Sequence, residues 1–469
     1  MDRRSFLKMS FFAAAGAPGV AKAWEKPLPA FDPSEDWPQE SWEDAYAPGD
    51  FIYVKPTVTP IGERKVAIIW KTREIATGWA LVSQDGGATW TKVWSGDDGI
   101  CDTLRTTHIA VFEDYDSAKP LKYRAVSRPI AEYGRFGQVR YSGETIVDGK
   151  LSGYYIGKGY RPFAKARAEK YTGEEFVEEG EIAALDPNAL EIVMFNDVHH
   201  AIPFYPKLLK SVPSRLSLAV FAGDICDHAR STEDFDKHLM APMAYLSRHT
   251  QCLTRFVRGN HETMGLYAPH VRNHVALQDN AFYGAVTLGG TRIVFLDTGN
   301  DVHDNGRPDP DCYYRMEPYF AQENAWLKRE VASAEWRNAK TRIAFAHIPP
   351  TYAKPDAKID AKTGKPRPCY TAGAPIGEMY RTLGDAGLSL LCAGHMHDAA
   401  WIGPAEGRPF PMAIGGGPSD KRGNHGIGIA TVTRLTIKNH ALGGDIDVVQ
   451  TDLNGEEVFR VGLNHKAIP

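Results

Sequence analysis

The sequence contains few cysteines, and no two of them are closely spaced. Six cysteines are spread over 469 residues without any CxxC pair, which argues against a metal cluster held by cysteines. Cys226 and Cys392 lie in or beside segments that we interpret as strands, so we expect them to be buried. An oxidising compartment would permit a disulfide, for which Cys312 and Cys369, both in loop-like segments, are the candidates.

The sequence also lacks a long apolar run and an excess of positive charge. The apolar stretch at residues 9–20 is shorter than the about 18 residues that span a bilayer, and no later run approaches that length, so no membrane span is expected. With 54 Lys and Arg against 58 Asp and Glu, the net charge is −4, which argues against broad nucleic-acid binding. Any recognition of phosphate must therefore be local.

The first 23 residues have the form of an export signal. Residues 2–8 read DRRSFLK, a twin-arginine pattern, and a short apolar stretch follows. Residues 21–23 read AKA, a small-residue cleavage site just before Trp24. We therefore expect a periplasmic or extracellular protein whose residues 1–23 are removed.

The length predicts at least two domains, and residues 24–150 have the pattern of a small all-β sandwich. Residues 24–50 read as an irregular lead-in rich in Pro, Trp and acidic residues. From residue 65 onward, short runs rich in β-branched and aromatic residues alternate with turn residues such as those at 85–87. Residues 151–188 carry mixed charge and glycine, and we interpret them as a linker and lead-in.

Residues 189–469 alternate between strand-like and helix-like patterns, which predicts an α/β domain. Strands are predicted at residues 190–195, 216–222, 254–258, 291–297, 341–346 and 388–393, with plain strands at 427–437, 446–451 and 458–461. Amphipathic helices are predicted at 234–248, 322–334 and 376–386. The expected fold is a four-layer α/β/β/α sandwich with two central sheets, preceded by the small all-β domain.

Five short fragments place Asp, Asn or His directly after predicted strands. At that position an α/β sheet presents side chains to a ligand crevice. The fragments are Asp197-Val198-His199, Gly223-Asp224-Ile225-Cys226-Asp227, Gly259-Asn260-His261-Glu262, Ala346-His347 and Gly394-His395-Met396-His397. Together they predict a hydrolytic site with two metal ions.

This set of side chains suits phosphoester hydrolysis. The reaction needs a nucleophilic hydroxide, positive charge for the phosphoryl oxygens and a proton for the leaving group. Two cations about 3.5–4 Å apart supply the first two, and a shared carboxylate is needed to hold them that close. Mixed His, Asp and Asn ligands favour borderline divalent ions or iron over calcium.

The motifs D-x-H, GD, GNHE, AH and GHxH follow one another along residues 190–425. In this order they resemble the motifs of the metallophosphoesterase (calcineurin-like) superfamily. The resemblance implies that Asp197, His199 and His397 hold one metal and that Asn260, His347 and His395 hold the other. It further implies that Asp224 bridges the two ions and that His261 contacts the phosphoryl group and protonates the leaving oxygen. The all-β segment resembles, by pattern alone, the fibronectin- or immunoglobulin-like domain that precedes the catalytic domain in relatives of purple acid phosphatases.

Asp227 is the most telling position within this resemblance. It resembles the aspartate that orients the catalytic histidine in the phosphoprotein phosphatase branch, where a carboxylate behind an imidazole fixes its tautomer. Purple acid phosphatases have an iron-binding tyrosine there and lack a histidine corresponding to His199, so we expect a colourless protein. The mixed ligand set favours two divalent or trivalent ions, namely Fe, Mn or Zn. Arg230 lies near the place of a phosphate-binding arginine in that branch, and the alternative is an exposed loop arginine.

Several neighbouring residues are assigned with less detail. His200 and Glu262 adjoin metal ligands and are expected to support them or to be bystanders, and His303, His425 and the glycines at 415–417 are candidates for the cleft wall. The Pro-interrupted, net basic segment 349–374 is either a lid over an anionic substrate or a solvated loop. Aromatic residues of the all-β domain either bind a glycan or, as is commoner, form its core.

The expected function is therefore that of an exported phosphoesterase in which a metal-bound hydroxide attacks the phosphorus of a small phosphorylated substrate. A phosphodiesterase acting on cyclic nucleotides or glycerophosphodiesters is the alternative within the same class. A surface glycan-binding protein with a purely structural metal site is the alternative from another class.

Overall fold

The computed structural model describes most of the chain from residue 45 onward. The described residues are 45–97, 100–101, 105–134, 139–144, 150–151, 154–155, 162–165, 171, 175–200, 204–228, 230–265, 267–300, 316–354, 357–420, 428–440 and 442–464. The expected export segment 1–23 lies outside them, as do Cys312, His303 and His425. The candidate disulfide and the two cleft histidines therefore stay predictions.

The region up to residue 182 contains only strands among its described residues. They are β1 (Ile52–Gly62), β2 (Lys65–Thr72), β3 (Ala76–Ser83), β4 (Thr91–Trp94), β5 (Gly96–Asp97), β6 (Ile100–Cys101), β7 (Thr107–Phe112), β8 (Leu121–Gly134), β9 (Val139–Tyr141), β10 (Lys150–Leu151), β11 (Tyr154–Tyr155), β12 (Pro162–Lys165) and β13 (Phe176–Ile182). Antiparallel pairing gives one sheet β1-β2-β7 and a second in which β8 pairs with β3, β9, β12 and β13 and β3 pairs with β4. β5 pairs with β6 and β10 with β11.

Alternating side chains of the two larger sheets form one apolar core. Ile68 and Trp70 from β2 belong to the same buried cluster as Ala80 from β3 and Tyr123 from β8. The buried indole Nε1–H of Trp70 donates to Ser127 Oγ at 2.8 Å, which satisfies the polar group that burial would otherwise leave unpaired. Trp70 is therefore a core residue.

The predicted linker at 151–188 contains strands, namely the end of β10 and all of β11, β12 and β13. Residues 176–182 form β13, which pairs in continuous antiparallel register with β8 from Phe176 opposite Ser127 to Ile182 opposite Leu121. The all-β region thus extends to residue 182 and not to residue 150. The sequence FVEEGEI did not predict this strand because one of its faces is polar and solvated, as the 64% exposed side chain of Glu179 illustrates.

The α/β region begins at β14 and contains two mixed six-stranded sheets. Its strands are β14 (Ala189–Phe195), β15 (Leu218–Ala222), β16 (Leu253–Val257), β17 (Gly284–Leu288), β18 (Thr291–Phe295), β19 (Thr341–Phe345), β20 (Leu390–Ala393), β21 (Ala400–Ile402), β22 (Met412–Ile414), β23 (Thr431–Lys438), β24 (Ile446–Asp452) and β25 (Glu457–Leu463). The first sheet has the order β16-β15-β14-β23-β24-β25 and the second β17-β18-β19-β20-β22-β21.

The helices complete the outer layers. They are α1 (Phe204–Leu209), α2 (Thr232–Phe235), α3 (Ala241–Thr250), α4 (Met316–Val331), α5 (Ala334–Asn338) and α6 (Ala374–Asp385). A π-helical turn, Asp236–Met240, joins α2 to α3, and 3₁₀ turns cover His261–Thr263 and Ala268–Asn273. Among the described residues, no helix is long and apolar enough to cross a membrane.

Strand periodicity explains the layering. Ile192 and Met194 of β14 face the other sheet, in a core shared with Ile343 and Phe345 of β19. Intervening residues such as Phe195 face the helical layer that contains α3, and Leu391 of β20 faces α4 and α6. The predicted four-layer α/β/β/α fold is confirmed, and the predicted strands agree with the observed ones to within a few residues.

The all-β region contacts the α/β domain through a buried polar group that we call the interface cluster, formed by Tyr53, Lys71, Asp236 and His274. Lys71 Nζ donates to Asp236 Oδ1 and contacts His274 Nδ1, and Tyr53 donates its hydroxyl to Asp236 Oδ2. Lys71 is 0% and Asp236 1% exposed. Burial lowers the pKa of Lys71 and raises that of Asp236, and each charge is the main compensation for the other.

Candidate metal centre

All seven predicted metal ligands lie on loops that follow strands. Asp197, Asp224 and Asn260 follow β14, β15 and β16, which are neighbours in the first sheet. His347 follows β19 and the pair His395 and His397 follows β20, which are neighbours in the second sheet. Parallel strands end at the same sheet edge, and the two sheets pack face to face, so the loops converge.

Close backbone approach explains the glycines of the motifs. Gly223 has φ +80°, and a Cβ atom there would lie 2.6 Å from Gly259 Cα. A Cβ atom on Gly259 would lie 2.3 Å from both the amide nitrogen and Oδ1 of Asp224. Any larger residue would separate the loops after β15 and β16.

The same loops concentrate left-handed backbone at residues other than glycine. Such residues are uncommon, and each costs about 1–3 kcal/mol, so they persist where surrounding contacts fix them. Values of φ between +46° and +70° occur on these loops at Asp197, His199, His200, Asp224, His395 and His397. Strain is thus concentrated around the predicted ligands.

One group of ligand atoms surrounds Asp197. The ligand atoms of Asp197, His199, Asp224 and His397 all lie within 4.8 Å of one another. The Nε2 atoms of His199 and His397 are 3.0 Å apart, and His397 Nε2 is 3.1 Å from Asp197 Oδ1. Four side chains from three loops therefore point at one small volume.

The second group of ligand atoms shares Asp224 with the first. Ligand atoms of Asp224, His347 and His395 lie within 4.8 Å of one another, and His347 Nε2 is 3.1 Å from Asp224 Oδ2. Asn260 Oδ1 is 3.0 Å from both His347 Nε2 and His395 Nδ1. Asp224 alone belongs to both groups, which is the position that a bridging carboxylate needs.

The chemistry of these atoms fits cations. His347 Nδ1 is 2.9 Å from the carbonyl oxygen of Ala222 and donates to it, so when the ring is neutral the lone pair of its Nε2 faces Asn260 Oδ1 and Asp224 Oδ2. Asp197 Oδ1 is buried and accepts no hydrogen bond from the described residues. Acceptors face acceptors here, and two metal ions would supply the missing positive charge.

The electrostatics of the ligand cluster point the same way. Burial opposes charge on Asp197 and Asp224, but the neighbouring imidazoles outweigh it and hold both carboxyl pKa values below their usual range. Burial likewise lowers the pKa of His347, but Asp224 and Asp197 outweigh it and raise that pKa to about 9. Protons and metal ions therefore compete for the same site.

Asp227 lies behind two of the histidines. Its Oδ1 is 3.4 Å from Nδ1 of His199 and also 3.4 Å from Nδ1 of His261, and the Asp227 carbonyl oxygen accepts from His261 Nδ1. Both rings therefore carry their proton on Nδ1 and turn Nε2 toward Asp224, at 3.7 Å for His199 and 3.8 Å for His261. Burial lowers the pKa of His261, but Asp224 and Asp227 outweigh it and raise that pKa.

Arg230 and His228 form the outer side of this site. Arg230 Nη2 is 3.5 Å from Asp227 Oδ2, and 63% of its side chain is exposed. The His228 ring lies 4.9 Å from the His261 ring in an edge-to-face arrangement. The structure thus brings Arg230 to the site through Asp227, and it adds His228, to which the motifs assigned no role.

Glu262 was predicted either to support the metal ligands or to have no role, and in the structure it is a buried residue that links two loops. Its two carboxylate oxygens accept four backbone N–H groups at 2.9 Å, two at each oxygen, from Asp224, Ile225, Cys226 and Gly259. It therefore ties the loop after β15 to the loop after β16. Asn196, which the sequence did not single out, similarly donates to Asp197 Oδ2 at 2.6 Å and to the carbonyl oxygen of Gly416 at 2.9 Å.

The segment that follows His347 returns to the site. The ring of Tyr370 meets the ring of His395 edge-to-face at 5.3 Å. Lys354 donates to Asp398, the neighbour of His397. Two points of the basic segment 349–374 therefore touch residues at or next to predicted ligands, whereas Lys362, Lys365 and Arg367 are exposed.

Comparisons with known proteins agree with this geometry. Residues 190–399 match the model of the calcineurin-like phosphoesterase family. Those residues are a calcineurin-like metallophosphoesterase domain. The chain therefore carries the catalytic domain of a metal-dependent phosphoester hydrolase, as the motifs predicted. No curated protein sequence matches the chain.

Two solved structures share the overall fold. The purple acid phosphatase PPD1 isolated from yellow lupin (Lupinus luteus) seeds matches with a TM-score of 0.53 and 11% identity over 87% of this chain and 74% of that chain. The structure of PhoD matches with a TM-score of 0.51 and 9% identity over 87% of this chain and 88% of that chain. Both matches extend beyond the phosphoesterase domain, and at these identities they establish similarity of fold.

Proposed function

We propose that this protein is an exported phosphoesterase that cleaves small phosphorylated substrates at a centre of two metal ions. The observation that supports the two-ion centre best is the position of Asp224, which belongs to both groups of ligand atoms. Asp197, His199 and His397 would hold one ion with it. Asn260, His347 and His395 would hold the other.

The ions would supply a water of lowered pKa and positive charge for the phosphoryl oxygens. Imidazole, carboxylate and amide ligands together favour Zn, Mn or Fe. Asp227 stands where purple acid phosphatases have their iron-binding tyrosine, so we expect no visible charge-transfer colour. A visible absorption band from the metal-loaded protein would contradict this assignment.

His261 is the proposed acid. Its ring turns Nε2 into the centre, and its raised pKa favours the protonated form that can donate to a departing oxygen. Asp227 fixes the tautomer of that ring and of His199 and acts as a positioning residue. Arg230 is close enough to Asp227 and exposed enough to turn toward a phosphate group, which its guanidinium can bind in bidentate fashion.

The central test uses Asp224→Asn and His261→Ala with an aryl phosphate as substrate. We expect each variant to lose about 10³-fold or more in turnover, and Asp224→Asn also to lose bound metal, with unchanged circular dichroism. His270→Ala serves as the matched control because His270 is exposed on the 3₁₀ turn Ala268–Asn273. Wild-type turnover in both active-site variants would rule out the proposed centre.

The choice between monoesters and diesters needs its own measurement. Turnover of mono-aryl and bis-aryl phosphates by the same preparation separates a phosphatase from a phosphodiesterase that acts on cyclic nucleotides or glycerophosphodiesters. Arg230→Ala adds a second comparison, because a guanidinium binds a dianionic monoester more tightly than a monoanionic diester. We expect KM for the monoester to rise about tenfold and KM for the diester to rise less.

Export and glycan contact are separate proposals. Replacing Arg3 and Arg4 by Lys should retain the protein in the cytoplasm of a bacterial host if the twin-arginine pattern directs export. Glycan contact is favoured by exposed Trp94, whose ring is 5.4 Å from that of Trp79, with Lys92 Nζ over both rings. Glycan-array binding that disappears in Trp94→Ala would support it, and tight binding without hydrolysis under any metal would favour the non-catalytic alternative.

A further inference from the structure

Three more side chains of metal-binding type converge outside the ligand set described above. They are His200, Asp234 and His238, and their ligand atoms lie within 4.8 Å of one another. His200 follows His199 on the loop after β14, whereas Asp234 lies on α2 and His238 on the π-helical turn that continues it. None of the three belongs to the groups around Asp197 and Asp224.

The helix supplies two of these groups with a suitable spacing. Asp234 and His238 are four residues apart on a continuous helical segment, so their side chains lie on the same face. His238 lies within the π-helical turn, where Ala241 N–H bonds to the carbonyl oxygen of Asp236, five residues earlier. Such π turns occur frequently at functional sites.

The histidine nitrogens are unsatisfied. His200 Nε2 and His238 Nδ1 are both buried, and neither makes a hydrogen bond to another described residue. The two rings are 4.0 Å apart between centroids, at an angle of 43°. An unsatisfied buried polar group destabilises the fold, and a cation held between the rings would remove that cost at both nitrogens.

The third group is a carboxylate on the same helical segment. The Asp234 backbone N–H donates to the side chain of Ser231, the N-cap of α2, and its carboxylate places a ligand atom within 4.8 Å of those of His200 and His238.

The ligand types select among cations. A hard ion such as Ca²⁺ or Mg²⁺ is bound mainly by oxygen ligands, of which this group offers a single carboxylate. Two imidazoles and one carboxylate are instead the ligands of a borderline ion such as Zn²⁺, with a coordination position left open.

We propose that His200, Asp234 and His238 bind a third divalent transition-metal ion, Zn²⁺ or an ion of similar chemistry, separate from the two-ion centre. That ion would connect the loop carrying His199 to α2 and thereby reinforce the position of a ligand of the first centre.

The test is metal stoichiometry of the full chain, measured by mass spectrometry after reconstitution with Zn²⁺ and removal of free ion. We expect three equivalents for the wild-type protein and two for Asp234→Asn and for His238→Ala. His270→Ala, which removes an exposed histidine, should retain three equivalents. The isosteric Asp234→Asn keeps the test valid if His238→Ala fails to fold.

A background variant separates this site from the two-ion centre. Asp234→Asn should lower the zinc content by one equivalent in the wild-type chain and again by one in the Asp224→Asn chain, whatever content the latter retains. Co²⁺ substitution should likewise show an absorption component that Asp234→Asn removes and Asp224→Asn keeps. Two equivalents in the wild-type protein, or an unchanged content in Asp234→Asn, would overturn the proposal.

Discussion

The metal centre and the interface cluster are both buried groups of charged side chains, but they are balanced in opposite ways. In the interface cluster, the ammonium of Lys71 and the hydroxyl of Tyr53 donate to Asp236. In the candidate metal centre, by contrast, Asp197 Oδ1 accepts no hydrogen bond from any residue that the structure describes, and the Nε2 atoms of His199 and His397 lie 3.0 Å apart. Burial of charged groups alone therefore does not identify a functional site. Buried hydrogen-bond acceptors that lie opposite one another without a donor do indicate one.

The difference between the clusters also has an energetic side. A buried carboxylate needs a nearby positive charge, and the interface cluster obtains it from within the chain. The candidate metal centre would obtain it from bound ions, so its contribution to stability would depend on their concentration. One region is therefore a fixed part of the fold, and the other is proposed to be a ligand-dependent part.

The largest expected effect comes from Asp197→Asn, which alters a predicted ligand of the candidate metal centre. This change removes the negative charge and the ligand oxygen that His397 faces, so turnover should fall about 10³-fold or more. The rise in melting temperature that Zn²⁺ causes should shrink at the same time. Thermal denaturation with and without chelator measures this, and an undiminished Zn²⁺ response would contradict the ligand assignment.

Lys71→Met breaks the other cluster and should cost about 3–5 kcal/mol of unfolding free energy, because Asp236 is left buried without its cation. The loss should be the same with chelator and with Zn²⁺, since no metal ligand is touched. Urea denaturation measures it. Combining Lys71→Met with Asp236→Leu should restore part of the lost unfolding free energy. A loss that differed between chelator and Zn²⁺ would contradict the independence of the interface cluster from the metal centre.

Glu262→Gln tests the hydrogen bonds by which the Glu262 carboxylate links the loops after β15 and β16. An amide replaces one of two oxygens that each accept two backbone N–H groups, so we expect a loss of about 3 kcal/mol in unfolding free energy. Metal affinity should weaken as well, because the loop carrying Asp224 is released. Glu406→Gln, at an exposed glutamate, is the matched control and should change neither quantity.

The smallest expected effect is a pH dependence that differs with and without metal. Burial lowers the pKa of His199, but Asp197 and Asp227 outweigh it and raise that pKa to about 10, and the pKa of His347 is raised to about 9. The unfolded value is about 6.5, so this stabilisation is complete below about pH 6.5 and is lost as pH rises toward 9–10.

Metal binding requires the neutral imidazoles and strengthens over the same pH range. Between pH 6.5 and 8.5 we therefore expect the melting temperature of chelator-treated protein to fall. The additional stabilisation caused by Zn²⁺ should grow over that range. If the melting temperatures of the chelator-treated and the Zn²⁺-loaded protein changed in the same way with pH, these histidines would not be metal ligands.

Sequence reasoning anticipated what depends on local pattern. Strand periodicity placed Asp197, Asp224 and His347 at strand ends, and the glycines of GD and GNHE follow from the contact between Gly223 and Gly259. The role of Glu262 could not be predicted, because its four donors include Asp224, 38 residues away along the chain. The interface cluster could not be predicted either, since Lys71 and Asp236 are 165 residues apart and meet only when two domains pack.

The origin of the ligands on two different sheets has a consequence for biosynthesis. Asp197, His199, Asp224 and Asn260 come from loops of the first sheet, while His347, His395 and His397 come from the second, whose strand β20 is made about two hundred residues after β14. A nascent chain that ends before β19 carries only the ligands of the first sheet and can complete neither proposed ion site. Binding of both ions would therefore require that synthesis has passed residue 397 and that the sheets have met.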